Sequence, residues 1–188
     1  MAVLPRLEGL LQRLLRQAAE GRGFLLTCTA LALAGTLTAA YPVTAVVVPA
    51  TLLAASRWRQ VAVATAVGST LGATALVIAS HHMGWSALYA HYPQLASHPD
   101  WVRVMAWVER YGSLALFAVA LSPLPQTPAL IFFGVVRPDS LGVVTAVFAG
   151  KLLKYGAFAW ATRRFPEAFG EGLPRQWQTW RSRRRGPR

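Results

Sequence analysis

Two lysines three residues apart, Lys151 and Lys154, stand inside the apolar run from Ser140 to Thr162, with Tyr155 directly after the second. Positions three and four apart share one face of a helix, so the three side chains point the same way. A lysine at mid-membrane costs about 3 kcal/mol or more, which calls for a water-filled cavity, a partner or an anionic ligand. The plain alternative is snorkelling of the long side chains towards headgroups, easier for Lys154 than for Lys151.

A second group of candidates surrounds breaks in the apolar runs. SPLPQTP, Ser122 to Pro128, places three prolines in seven residues between LALFAVAL and ALIFFGVV. An interior proline removes a backbone hydrogen bond and clashes with the preceding turn, so Ser113 to Val136 should be two short arms and not one helix. Arms of eight or nine residues reach about half a bilayer at 1.5 Å per residue, which describes a re-entrant hairpin. Half-helices of this kind leave backbone N–H groups and a positive dipole end at membrane depth, where Gln126, Thr127 and Thr44 can add hydrogen bonds to an anion. The plain alternative is that those side chains serve only the broken backbone. Arg57 and Arg137 follow the two breaks, as phosphate contacts at the hairpin exits or as interfacial anchors. Gly68, Gly72 and Gly150 are expected to permit close helix packing.

Other chemistry finds little support. No Asp or Glu falls within the apolar runs, and neither paired carboxylates nor a nucleophile constellation occurs there, so an enzyme is not expected. His81, His82, His91 and His98 lack a compact ligand spacing and have no cysteine nearby, so no metal or other cofactor is expected. Cys28, the single cysteine, reads as a small apolar packer.

The elements that must hold these residues follow from charge distribution. Phe24 to Leu53 and Val61 to Ser80 contain no formally charged residue, and both runs exceed the ~18 residues at which a bilayer reading replaces a buried-core reading. The expectation is an all-α integral membrane protein. Residues 1–22 form an amphipathic helix, with Leu7, Leu10, Leu11, Leu14 and Leu15 set against Arg6, Arg13 and Arg16, lying on the membrane or on the protein's own face. The membrane domain spans 23–163: a hairpin over 24–55 broken at Tyr41-Pro42, a span over 60–80, a polar and aromatic outer loop over 81–112, a hairpin over 113–136 and a span over 140–162. Residues 164–188 form a basic tail with Trp177 and Trp180 as interfacial anchors. Phe24 to Leu37 followed by Thr38-Ala39-Ala40 has the outline of a cleavable leader, but the apolar run continues past Pro42, and we read it as retained. The net charge of +12 suits anionic headgroups, and no reader motif for nucleic acid accompanies it.

The order hairpin, arginine, long helix occurs twice, and a glycine follows each arginine inside the next helix, at Gly68 after Arg57 and at Gly150 after Arg137. If the hairpins enter from opposite sides, one side receives Arg6, Arg13, Arg16, Arg22, Arg57, Arg59 and every arginine from Arg163 onward. The other side receives only Arg103, Arg110 and Arg137. That asymmetry fits an inverted repeat with both termini cytoplasmic.

With SPLP, Gly68-Ser69-Thr70-Leu71-Gly72 and Gly150-Lys151-Leu152-Leu153-Lys154-Tyr155 in this order, the chain resembles the DedA/VTT (SNARE-associated) membrane superfamily, in particular its short YqaA-like bacterial branch, over roughly Tyr41 to Thr162. The resemblance implies a multi-pass bacterial inner-membrane protein with two opposed re-entrant hairpins, and a role in moving phosphorylated lipids between leaflets. Lys151 and Lys154 would then draw a lipid phosphate into the groove between hairpins. Many members of the superfamily carry an acidic residue in a hairpin; here the matching places read Pro42-Val43-Thr44 and Pro125-Gln126-Thr127, which puts proton coupling through a hairpin carboxylate in doubt. Membrane lipids are the expected partners, with a homo-oligomer left open. The alternative from another class is a non-transporting scaffold or assembly factor that binds anionic lipid or partner proteins. Topology is directly testable: reporter fusions at Arg188 and near Ser97 should report opposite sides of the membrane, and agreement between them would eliminate the two-span arrangement.

Overall fold

In the computed structural model the described residues are 23–91, 110–122, 126–136 and 140–169, with isolated positions at 14, 99, 102–103 and 106. They are all-helical, with no strand among them: α1 (Phe24–Thr38), α2 (Thr44–Leu53), α3 (Trp58–His91), α4 (Ser113–Leu121), α5 (Thr127–Val136) and α6 (Ser140–Arg164), plus one 3-10 turn at Ala55–Arg57. Two stretches, Ala55–His82 and Leu141–Arg164, are long and apolar enough to cross a membrane. The expected amphipathic helix over 1–22, nearly all of the tail over 164–188 and most of 92–109 lie outside the described residues.

Both breaks fall where proline chemistry puts them. After Thr38, Ala39 adopts a left-handed backbone (φ 51°) and the chain turns over Tyr41-Pro42 into α2. Tyr41 braces the turn: its hydroxyl donates to the Leu31 carbonyl at 2.6 Å, and its ring lies against Gly35, where a Cβ would be 2.6 Å from the ring edge. At the second break α4 ends at Leu121, Ser122 is extended, and the Leu130 N–H donates to the Gln126 carbonyl at 3.0 Å as α5 begins.

The arms of each broken pair pack mainly on different long helices and little on each other. α1 and α5 lie on α3, α2 and α4 lie on α6, and α3 packs against α6. Thr29 reaches the Ala64 carbonyl and Thr36 reaches Ser69, so α1 runs along α3 in the same direction. Gly150 meets Phe117 and Ala120, and Lys154 reaches Ser122, so α4 likewise runs along α6. α3 and α6 are antiparallel, with Arg163 over the Trp58 ring. The two broken pairs therefore start from opposite ends of the α3–α6 pair. Apolar clusters fill the junctions: Ala73, Leu116, Leu130, Phe133 and Val147 on one side, Phe24, Cys28, Val46 and Val61 on another, and Val47, Ala62, Ala66, Tyr155 and Ala159 between them.

One boundary needs correction. The helix that holds the span expected over 60–80 runs on to His91, taking in the first part of the expected outer loop over 81–112, while its stretch apolar enough to cross a membrane ends at His82. Polar and aromatic residues signalled an interface, but they do not end a helix; Gly84 alone is a weak breaker and the next proline is Pro93. The extension has a packing role. His81 Nδ1 lies 3.1 Å from the Gly134 carbonyl, which can only accept, so Nδ1 carries the hydrogen. In a continuing helix that carbonyl would take the N–H of residue 138, and Pro138 has none.

Close approach of the arms rests on missing side chains. A Cβ on Gly68 would run into the Thr29 carbonyl oxygen, one on Gly134 into the Val77 carbonyl, and one on Gly150 would lie 2.8 Å from the Phe117 carbonyl. The sequence-based packing role of Gly68, Gly72 and Gly150 matches these contacts, and Gly134 joins them. Gly68→Ala or Gly134→Ala should destabilise the detergent-solubilised protein by about 1–3 kcal/mol, since backbone must shift. Gly156, with nothing within 4 Å of its would-be Cβ, serves as the control, and Gly156→Ala should leave the unfolding temperature equal or higher.

Candidate functional site

Lys151 is 1% exposed. Its Nζ donates to both the carbonyl oxygen (2.7 Å) and the hydroxyl (2.6 Å) of Ser69 on α3. Ser69 Oγ also lies 2.6 Å from Thr36 Oγ1 and 3.1 Å from the Tyr155 hydroxyl. Donor directions follow by elimination. Thr36 gives its hydrogen to the Ala32 carbonyl at 2.9 Å, so Ser69 donates to Thr36, and Ser69 Oγ accepts from Lys151 and Tyr155. All four residues are buried. Two of the three Nζ hydrogens thus have acceptors, and Glu167, the sole acidic residue among those described, is exposed near the chain's far end.

Lys154, one turn further along α6, donates to the Ser122 carbonyl at 2.5 Å. That carbonyl lies at the C-terminal end of α4, where unpaired acceptors and the negative dipole end collect. The two lysines therefore reach the surroundings of both breaks. Lys151 does so through Ser69 and Thr36, two residues before the end of α1, and Lys154 does so directly at the end of α4. Gly150 makes the second contact possible by letting α4 approach α6.

The remaining candidates are distributed differently. Thr44 opens α2 and Gln126 and Thr127 open α5, all half-buried, and no hydrogen bond among the described residues joins them to either lysine. Arg57 is exposed on the 3-10 turn, away from the lysines and at the same end as Trp58. The Trp58 ring has the guanidinium carbons of Arg59 and Arg163 at 5.3 and 5.9 Å. Arg137 lies outside the described residues. Gly68 and Gly72 flank Ser69 on α3 and seat α1 there.

Sequence reasoning missed Ser69 and Thr36 as site residues. Two signals point to them. Ser69 follows Gly68 as Lys151 follows Gly150, so the two bonded residues stand at matching places in the repeated pattern. Of the 19 lysines and arginines in the chain, only Lys151 and Lys154 are lysine. A compact amino group with freely rotating donors fits a tight helix contact that the rigid guanidinium fork does not.

Compared with protein-family models, curated proteins and solved structures, the chain gives no match. For the clasp at the second break the expected outcome is specific. Lys154→Ala should cost about 1 kcal/mol in thermal unfolding by removing one charged donor from the end of α4, and it should speed reaction of a Gln126→Cys variant with small water-soluble thiol reagents. An unchanged rate would show that Lys154 does not hold the break.

Proposed function

We propose that this protein is an inner-membrane, multi-pass lipid-handling protein that binds the phosphorylated headgroup of a lipid at mid-depth and assists its passage between leaflets. The observation that carries the reading is Lys151: a buried amino group with no carboxylate near it among the described residues, linked through Ser69 to Thr36 at the first broken pair and standing one turn from Lys154, which holds the end of α4 at the second. Enclosing such a group in apolar surroundings costs free energy that an anionic ligand offsets.

Three further features support it. Leu26 and Leu141 are each 74% exposed and Leu114 64%, and only 28% of the apolar window of the second long helix is buried within the protein. Apolar surface of that extent suits a lipid environment. Arg57, Arg59, Arg163 and Arg164 are all exposed near the end of the α3–α6 pair where α2 finishes and the tail begins, the asymmetry of a cytoplasmic side with both termini in. The crossed packing, in which each long helix carries one arm of each broken pair, suits an inverted repeat of re-entrant hairpins of the kind the DedA/VTT resemblance implies. In this reading the headgroup travels between the opposed breaks while its tails stay in lipid, and no covalent chemistry is involved.

The test is leaflet exchange of a labelled anionic lipid by purified protein in vesicles, normalised to folded protein. Lys151→Leu should fold with equal or greater stability, since a buried polar group is removed, and should lose exchange by roughly tenfold or more, the loss of one charge-assisted contact. Lys151→Arg should keep part of the activity. Wild-type rates in Lys151→Leu would end the proposal and favour a non-transporting scaffold.

A further inference from the structure

We infer that Lys151 is also a latch between the two long helices, so that a phosphate is taken up only when its amino group leaves Ser69. The inference rests on the reading of Lys151 as the headgroup site and states what that site must do to work.

Donor geometry carries the argument. Nζ is held by two atoms of one residue, the carbonyl and hydroxyl oxygens of Ser69, at 2.7 and 2.6 Å. The amino group belongs to α6 and both acceptors belong to α3, so these bonds cross the contact between the long helices. Around them Ser69 is 0%, Tyr155 5% and Thr36 7% exposed. Two of the three Nζ hydrogens go to Ser69 and Lys151 is 1% exposed, so a phosphate oxygen, which Nζ holds at roughly 2.7–2.9 Å, has no open approach to the third while α3 and α6 stay packed.

The hydroxyls are equally committed. Tyr155 gives its hydrogen to Ser69, Ser69 to Thr36 and Thr36 to Ala32, so none of the three keeps a hydrogen for an anion while the network stands. If Nζ swings away, Ser69 Oγ still holds the Tyr155 hydrogen, so the hydroxyl chain stays intact and the amino group alone meets the incoming phosphate. The released contact lies beside the end of α1, and one turn along α6 lies the Lys154 clasp on the end of α4. Opening therefore loosens α3 from α6 at the depth of both breaks, where a headgroup has to pass. In the arrangement described, the latch is closed.

A latch and a preformed site predict opposite signs for one substitution. Ser69→Ala removes one of the two acceptors holding Nζ. With the latch, the full-length protein in phosphatidylcholine nanodiscs should bind fluorescent short-chain phosphatidic acid more tightly, by roughly tenfold for one charge-assisted hydrogen bond. It should also unfold at a lower temperature without ligand. Lys151→Ala should abolish the binding. If Ser69→Ala and Lys151→Ala both weaken binding, Ser69 is a ligand contact; the latch is then overturned and the headgroup site stands. If neither phosphatidic acid nor inorganic phosphate binds in a Lys151-dependent way, both are overturned. Ser69→Cys keeps the volume and weakens the acceptor, and must give the same sign should the alanine variant fail to fold. Inorganic phosphate is run in parallel: the sign expected of a latch with free phosphate, and no Lys151-dependent binding of phosphatidic acid, would retain the latch and overturn a lipid as its ligand.

Discussion

An amino group closed off among apolar helices is tolerable only if its hydrogens meet acceptors, and the bonds from Lys151 to Ser69 meet that demand across the contact of the two long helices. The architecture is arranged around this contact. Ser69 must lie opposite Lys151, so α3 and α6 have to pack closely at that level. Gly68 and Gly72 let α1 in beside Ser69, bringing Thr36 to complete the hydroxyl network. Gly150 lets α4 in beside Lys151, and its end is then near enough for Lys154 to hold.

The same economy governs the breaks. A helix interrupted at apolar depth leaves carbonyls and N–H groups that water cannot reach, and each must find a partner within the protein. At the first break Tyr41 folds back over Gly35, and its own hydroxyl finds an acceptor in the Leu31 carbonyl inside α1. At the second, Lys154 takes the Ser122 carbonyl. At the far end of α5, His81 takes the Gly134 carbonyl that Pro138 is unable to serve. An amine and an imidazole perform one task at two helix ends, each reaching from a neighbouring long helix. Positioning of the breaks and positioning of the lysines are thus one problem, because Lys154 solves part of both.

Splitting the arms of each broken pair between α3 and α6 also has a mechanical consequence. A hairpin packed on itself would move as a unit, whereas here α1 and α2 are anchored on different long helices, as are α4 and α5. Any separation of α3 from α6 is felt at both breaks, since each break bridges the two. Small residues at the arm contacts, Gly68, Gly134 and Gly150, allow close backbone approach where larger side chains would hold the arms apart.

Much of this was legible in the amino-acid order. Proline fixes φ and lacks a donor whatever surrounds it, so Pro42 and the SPLPQTP stretch determined two breaks; the arm before the second, Ser113–Leu121, coincides with the one expected, while the arm after it, expected over Ala129–Val136, begins two residues earlier at Thr127, with Pro128 in its first turn, where a proline needs no donor. Apolar length determined the long helices, free of charge over most of the spanning part of α3 and interrupted by two lysines in α6, and the spacing of Lys151, Lys154 and Tyr155 determined that they share a face. The end of α3 was not legible, because a run of polar and aromatic residues without proline changes what surrounds a helix without stopping it. Nor was the partner of Lys151. The matching places of Ser69 and Lys151 in the repeated pattern do not by themselves make them a pair; only packing α6 antiparallel on α3, with α1 seated against two glycines, turns that hydroxyl and its carbonyl towards the lysine. Local chemistry decides where a chain breaks and which residues share a helix face, but a bond spanning 82 residues depends on the register of two packed helices, which tertiary structure alone sets.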